Sequence, residues 1–363
     1  MKVADKIRVL VVDDSALMRK LLSDTLNADA DIEVIATARD GQDALDKVLS
    51  FHPDVVTLDV EMPRVSGLEA LEYIMAWRPT PVIVVSGLQQ AGLAVAALER
   101  GAVDFVAKPS GPISMDLYRV QEELLAKVRL AAAVDASRLR SLALTRPVPF
   151  RPECRPGAIC GDRAVVIAAS TGGPRALNVV LGSLPGDLPA AVLVVQHMPP
   201  GFTRSLAERL DRYSPLRVKE AEDGDTVLSG HGYVAPGGFH TVVEKRASGQ
   251  VVIRLLQSPP VLGLRPAADL TLKAVAQVYG AGSVGVVLTG MGSDGTKGLQ
   301  AIKAAGGVVI AQDQATSVIY GMPRAALESG CVDRVLPLEQ IAAEIVAVLS
   351  RNPVPSTQRN LVQ

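Results

Sequence analysis

The sequence predicts an α/β protein of two domains: an N-terminal five-stranded parallel βα domain, and a C-terminal doubly wound, mainly parallel sheet with an antiparallel hairpin region. Three observations point there. Short apolar runs alternate with helical stretches of period near 3.6 in both halves of the chain. The runs are apolar throughout, as in strands covered on both faces by crossover helices. A Pro- and Arg-rich interval separates the halves, and 363 residues at 48% hydrophobic content suffice for two cores at ~100–200 residues per domain.

The expected boundaries are 1–134 for the first domain, 135–161 for a linker, 162–352 for the second domain and 353–363 for a tail. In the first domain, strands are expected over 9–12, 34–36, 55–58, 82–85 and 105–106. The stretches 15–26, 43–49, 67–76 and 93–100 carry apolar positions three and four apart, so each buries one stripe of a helix against the sheet. In the linker, Pro147, Pro149, Pro152 and Pro156 interleave with Arg138, Arg140, Arg146, Arg151 and Arg155. Prolines at that density favour extended backbone, and the arginines read as a solvated tether. In the second domain, 165–168, 192–195, 284–288 and 308–311 read as strands. The interval 218–254 differs, with Gly224, Gly230, Gly232, Gly237, Gly238 and Gly249 between short β-branched pieces, and is expected to form antiparallel hairpins.

Composition narrows the function classes. A formal net charge of -1 supplies no basic field to draw the chain to nucleic acid or to an anionic membrane. No stretch approaches the ~20 consecutive apolar residues of a membrane span, so no direct membrane insertion is expected. Met1-Lys2-Val3-Ala4-Asp5 lacks a secretory apolar region, and a cytoplasmic location is expected. Cys154, Cys160 and Cys331 include no Cys-x-x-Cys pair, which indicates neither a disulfide framework nor a zinc knuckle.

Two sets of residues carry chemistry. Asp13 and Asp14 end the first expected strand, Asp59 the third and Ser86 the fourth, and Lys108 follows the fifth. In an open parallel sheet, ligands sit beyond the carboxyl ends of the strands, so these groups converge on one edge. Three carboxylates together repel one another unless a divalent cation neutralises them, and oxygen-only ligands suit Mg²⁺. Lys108 offers a point charge and Ser86 a hydroxyl to phosphoryl oxygens, so such a site can transfer a phosphoryl group to Asp59. Read as helix caps, these residues would be explained singly, Asp14 before Ser15 for instance, but not as a convergent set.

Residues 7 to about 130 resemble the receiver domain of two-component response regulators. The match lies in Asp13-Asp14, Asp59, Glu61-Met62-Pro63 to Gly67, Ser86-Gly87, and Asp104-Phe105-Val106-Ala107-Lys108-Pro109. The resemblance implies phosphorylation at Asp59 by a sensor histidine kinase of the chemotaxis type. It also implies Mg²⁺ held by Asp14 and Asp59 with help from Asp13, and a switch through Ser86 and Phe105. Taken by itself, an aromatic at Phe105 is more often core than switch.

In the second domain, Ser170 follows a strand and Thr171-Gly172-Gly173-Pro174 opens a helix. A hydroxyl at such a turn has the N–H groups of a helix N-terminus beside it as oxyanion donors. Glycine-rich turns also bind phosphates, so Ser170 alone leaves a nucleotide site open. His197 and Asp294 follow two other strands, and the three side chains can meet on one sheet edge as hydroxyl, imidazole and orienting carboxylate. The order Ser, His, Asp and the absence of Gly-x-Ser-x-Gly argue against an α/β-hydrolase esterase. His52 lies in the first domain, and His231 and His240 lie in the hairpin region, where structural roles are expected.

Five segments resemble the methylesterase domain of chemotaxis protein-glutamate methylesterases. They are 168–173, 196–203, Ala235-Pro236-Gly237-Gly238, 288–295 and 315–323. Carried over by motif, the resemblance implies Ser170 as nucleophile, His197 as general base and acid, and Asp294 as orienting carboxylate, with Thr171 and Met291 lining the site near the oxyanion hole. It implies hydrolysis of glutamate 5-methyl esters on methyl-accepting chemoreceptors, deamidation of receptor glutamines, and no cofactor for the ester chemistry. It further implies that the unphosphorylated receiver covers the triad and that phosphorylation of Asp59 biases the domains apart. Two departures are visible. Arg265-Pro266-Ala267-Ala268-Asp269 lacks the hydroxyl many relatives carry after Arg-Pro, and the terminus 357–363 holds no aromatic partner-binding pentapeptide. A response regulator acting by binding alone, or a serine hydrolase of another ester, are the competing readings.

Overall fold

The computed structural model describes the backbone of residues 6–108, 115–135 and 161–351, and their side chains except for 115–119. The chain divides into two compact units, Met1–Arg146 and Pro147–Gln363. That division falls inside the expected linker. Most of the linker, with its prolines and arginines, and also Pro109, Cys154, Cys160 and the tail, lie outside the described residues.

The first unit runs β1 (Ile7–Val12), α1 (Ala16–Asn27), β2 (Ile32–Ala38), α2 (Gly41–Phe51), β3 (Val55–Asp59), α3 (Gly67–Trp77), β4 (Val82–Ser86), α4 (Ala91–Glu99), β5 (Asp104–Ala107) and α5 (Met115–Ala132). Its five strands lie in the order β2-β1-β3-β4-β5, and every neighbouring pair is parallel. All residues of β3 and β4 are buried, which is why those runs carry no alternation. The strand order reverses between β1 and β3, so the crevice at their carboxyl ends is the ligand position of this topology. Ser15, not Asp14, caps α1, its hydroxyl accepting from Met18 N at 3.4 Å. Asp13 Oδ1 accepts from Ser15 N at 2.9 Å, and Asp14 is left exposed.

The second unit runs β6 (Ala164–Ala169), α6 (Gly173–Gly182), β7 (Ala191–Gln196), α7 (Phe202–Tyr213), β8 (Arg217–Glu220), β9 (His231–Val234), β10 (His240–Lys245) and β11 (Val251–Leu256). It continues with α8 (Ala268–Tyr279), β12 (Ser283–Val287), α9 (Thr296–Ala304), β13 (Val308–Gln312), α10 (Met322–Glu328), β14 (Arg334–Leu336) and α11 (Leu338–Arg351). Seven strands form one sheet in the order β14-β13-β12-β6-β7-β9-β8, parallel at every pair. A separate antiparallel pair, β10 with β11, supplies Val243, Val251 and Ile253 to the core beneath α8.

The interval 218–254, expected as antiparallel hairpins throughout, therefore splits. Only β10 and β11 form a hairpin, whereas β8 and β9 pair in parallel at one end of the main sheet, with β8 as its edge strand. Between them the chain crosses over, held by Asp225, whose carboxylate takes Lys219 Nζ at 2.9 Å and Glu222 N at 2.8 Å. Glycine spacing alone does not distinguish a tight reversal from such a crossover. His240 is buried and structural: Ala267 N donates to its Nδ1 at 3.2 Å, and its Nε2 meets Pro259 O at 3.1 Å. These bonds tie the hairpin to the start of α8. No helix among the described residues is long and apolar enough to cross a membrane.

Candidate functional site

In the first unit, the carboxyl ends of β1, β3, β4 and β5 bring the five expected groups together. One oxygen each from Asp13, Asp14 and Asp59 lies within 4.8 Å of the others. Lys108 Nζ stands 2.8 Å from Asp13 Oδ2 and 2.7 Å from Asp59 Oδ2. Burial raises the Asp59 carboxyl above its ordinary value, and the nearby Asp13 charge adds to this against the opposing pull of Lys108. Burial works the other way on Lys108, but its two carboxylate partners prevail and hold its pKa above the ordinary value. The donor set is all oxygen, compact and over-charged, which fits a hard divalent cation such as Mg²⁺.

Ser86 and Phe105, expected together with Lys108 to form a switch, are both buried. Ser86 Oγ faces Gln90 Oε1 at 3.3 Å, and Gln90 Nε2 reaches Glu61 Oε2 at 2.5 Å on the loop after β3. Phe105 packs under Lys127, whose Nζ lies 5.2 Å from the ring centroid and 2.6 Å from Phe105 O. Sequence reasoning did not single out Gln90 or Lys127, because each draws meaning from partners far along the chain.

In the second unit, Ser170, His197 and the turn carrying Asp294 follow β6, β7 and β12, three adjacent strands on either side of the point where the strand order reverses. Parallel pairing sets the alignment: His197 N donates to Ala169 O at 3.1 Å, and Ser170 N donates to Thr289 O at 3.0 Å. His197 Nε2 meets Asp294 Oδ2 at 2.7 Å, with the two side chains 8% and 1% exposed. Asp294 Oδ2 also accepts from Ala268 N at 2.6 Å, while Oδ1 accepts from Asp269 N at 3.1 Å and Gly295 N at 2.9 Å. One carboxylate thus orients the imidazole and caps α8, whose own N-cap residue, Ala267, has no side-chain acceptor.

Burial opposes the Asp294 charge, but the His197 hydrogen bond and charge and the two N–H groups of α8 outweigh it. Its carboxyl is held below the ordinary value. An ionised Asp294 accepts only, so Nε2 of His197 carries the proton it donates, and Nδ1 is the ring nitrogen left to take a proton from a hydroxyl. Ala267, the position lacking a hydroxyl, is buried at the N-cap of α8.

The turn after Ser170 needs its glycines. Gly172, at φ +78°, caps α6 in the left-handed region that disfavours a side chain. Gly173 instead yields space, since a Cβ there would fall 1.9 Å from Gln196 Oε1. Thr171 is buried, with its carbonyl held by Thr289 Oγ1 at 2.9 Å, whereas Met291 is 48% exposed beside the site. The backbone leading to Met291 passes close to the Ser170 turn: a Cβ at Gly290 would fall 2.7 Å from Ser170 Cβ. Gln196 and Gln312, each a buried polar residue ending an apolar strand, brace this region and were not singled out from sequence. The signal available was that a polar residue closes each apolar run.

Comparison with known proteins agrees with both units. The response regulator receiver domain model matches residues 9–117, and the CheB methylesterase model matches 165–345. The chain is 51% identical over 348 residues to the protein-glutamate methylesterase/protein-glutamine glutaminase of Pyrococcus horikoshii, covering 94% of this chain and 93% of that one. It is 51% identical over 358 residues to the protein of the same name from Symbiobacterium thermophilum, covering 95% of this chain and 97% of that one. The crystal structure of the Thermotoga maritima CheB methylesterase catalytic domain superposes with a TM-score of 0.51 at 47% identity, covering 52% of this chain and all of that one. With two family models in tandem and half its residues shared along almost its whole length, the chain belongs to the protein-glutamate methylesterase/protein-glutamine glutaminase family.

Proposed function

We propose that the chain is a phosphorylation-activated hydrolase that removes methyl groups from glutamate 5-methyl esters of chemoreceptors, releasing methanol, and deamidates receptor glutamines. This gives sensory adaptation in chemotaxis. The observation that carries the reading is the 2.7 Å pair between His197 and Asp294 at the sheet edge where the Ser170 turn also ends. Ser170 Oγ attacks the ester carbonyl while His197 Nδ1 takes its proton, and Asp294 stabilises the imidazolium. The start of α6, Thr171 and the backbone at Met291 meet the oxyanion. Methanol leaves with the proton from His197, and water attacks the acyl-serine by the same path to release glutamate. With a glutamine substrate, ammonia leaves instead.

The receiver acts as the switch. Asp59 accepts the phosphoryl group from a histidine kinase, Asp13, Asp14 and Asp59 would hold Mg²⁺, and Lys108 and Ser86 meet the phosphoryl oxygens. The cation, when bound, neutralises charge between the carboxylates and the incoming phosphoryl group. Exposure of Asp14 and the compact oxygen set support this assignment. Phosphorylation then raises the activity of the hydrolase by a shift in population toward its active state. A cytoplasmic site of action follows from the receptor domains it modifies.

The test is methanol release from methylated chemoreceptor, with and without Mg²⁺ and a small phosphodonor. Release that rises with the phosphodonor is expected. No release with Asp59 demonstrably phosphorylated would remove the esterase assignment and leave a regulator that acts by binding.

A further inference from the structure

Gln196 is a buried side chain that the chemistry above does not use. Its Nε2 donates to Ser170 O at 2.9 Å and to His197 O at 3.3 Å. One amide therefore bridges the main chains of nucleophile and base, which belong to different strand ends. Only an NH₂ group can face two carbonyl oxygens, so the orientation of the amide is fixed by its surroundings.

The other end of the amide is as informative. Gln196 Oε1 is buried with no hydrogen-bond donor, lying against the main chain of Gly173 where a Cβ would be only 1.9 Å away. An unpaired buried oxygen destabilises a fold, so an apolar side chain of the same length would suit packing better here. Gly173 has no positive φ that would require a glycine; a Cβ there would be crowded first by this amide and also by Ala169 Cβ at 2.8 Å. The unpaired Gln196 oxygen is thus a structural cost borne for one hydrogen-bond donor between Ser170 and His197.

Resting on the Ser170 and His197 assignments above, we infer that Gln196 is a positioning residue: its amide sets the Ser170 hydroxyl and the His197 ring in register for proton transfer. Ser170 is then held at each backbone polar group, its N–H on Thr289 O, and its carbonyl shared by Gly173 N at 2.8 Å and Gln196. The Thr289 side of this clamp is itself fixed, since Thr289 N donates to Gln312 Oε1 at 2.7 Å. Loss of the Gln196 side leaves the Ser170 carbonyl held by Gly173 N alone. Positioning of this kind acts on the chemical step rather than on binding, because Gln196 is buried and its amide bonds main-chain carbonyls.

The decisive variant is Gln196→Met in the full chain, with sulfonylation of Ser170 by a small sulfonyl fluoride and ester hydrolysis both followed. Methionine keeps length and removes the donor and the unpaired oxygen together. The expected result is an unchanged or higher melting temperature, a kcat lower by on the order of 10–100-fold, a KM within about threefold, and a matching drop in sulfonylation rate. Equal sulfonylation of variant and wild type overturns the inference. Wild type that is not sulfonylated at Ser170 overturns the nucleophile assignment instead, so the two failures are distinct. Gln196→Ala serves if methionine is not accommodated: a folded alanine variant with wild-type kcat also overturns the proposal.

Discussion

Replacing Asp294 with asparagine separates the two roles that one carboxylate carries. Oδ1 serves Asp269 and Gly295, and an amide oxygen can take that place without moving. The amide nitrogen then occupies the Oδ2 position, facing the Ala268 N–H and the Nε2–H of His197 with a donor where both need an acceptor. For stability, α8 loses one of its two capping bonds, a change worth ~0.5–2 kcal/mol. In a domain of this size each kcal/mol moves the midpoint by roughly 2–4 °C, so the expected fall is about 1–8 °C. For catalysis, His197 can restore its hydrogen bond only by accepting at Nε2, which puts the proton on Nδ1 and removes the base. A wrong tautomer costs a triad on the order of 10⁴ in kcat. Thermal unfolding and methanol release from methylated receptor measure the two effects on one preparation. An Asp294→Asn protein with turnover within about tenfold of wild type would refute the argument that this carboxylate selects the tautomer.

Further outcomes are expected. Because Asp294 is held below its ordinary value of 3.8, its contribution to stability is present above that pH and is lost as pH falls through the lowered value; the melting-temperature gap between wild type and Asp294→Asn should be flat at neutral pH and close in acid. Asp59 has the opposite sign: burial raises its carboxyl, so folding loses stability as pH rises above 3.8, and Asp59→Asn should melt higher than wild type at neutral pH without Mg²⁺, a gap that calorimetry should find shrinking in acid. Ser170→Ala should abolish ester hydrolysis while Asp59 still accepts phosphate from a small donor, and retained turnover would remove Ser170 from the nucleophile role. Gly290→Ala should cost activity by roughly 10-fold or more, since its Cβ would fall 2.5 Å from Met322 Sδ and 2.7 Å from Ser170 Cβ; a crystal structure would reveal the displaced serine.

The sequence by itself determined the two-unit α/β architecture. Strands buried on both faces must be apolar at every position, and that imprint is local: 9–12, 55–58, 82–85, 165–168 and 192–195 each lie within an observed strand. The acidic and seryl sets were legible for a related reason. Each of their residues stands at or shortly after the end of an apolar run, Asp294 on the turn beyond β12, and a parallel sheet gathers all its strand ends on one edge. Strands β8, β9 and β14 were not legible as parallel members of the sheet, because they are short strands at or next to its edges whose pairing is a long-range choice. Tertiary structure alone decided which nitrogen of His197 meets Asp294, that Asp294 also caps α8, and that Ser15 rather than Asp14 caps α1. The same holds for Gln196: nothing in the string Gln196-His197 reveals that its amide reaches back to Ser170, 26 positions earlier. Periodicity reports which face of an element is buried, but the partner of a buried polar group is fixed only when separate strands are brought side by side.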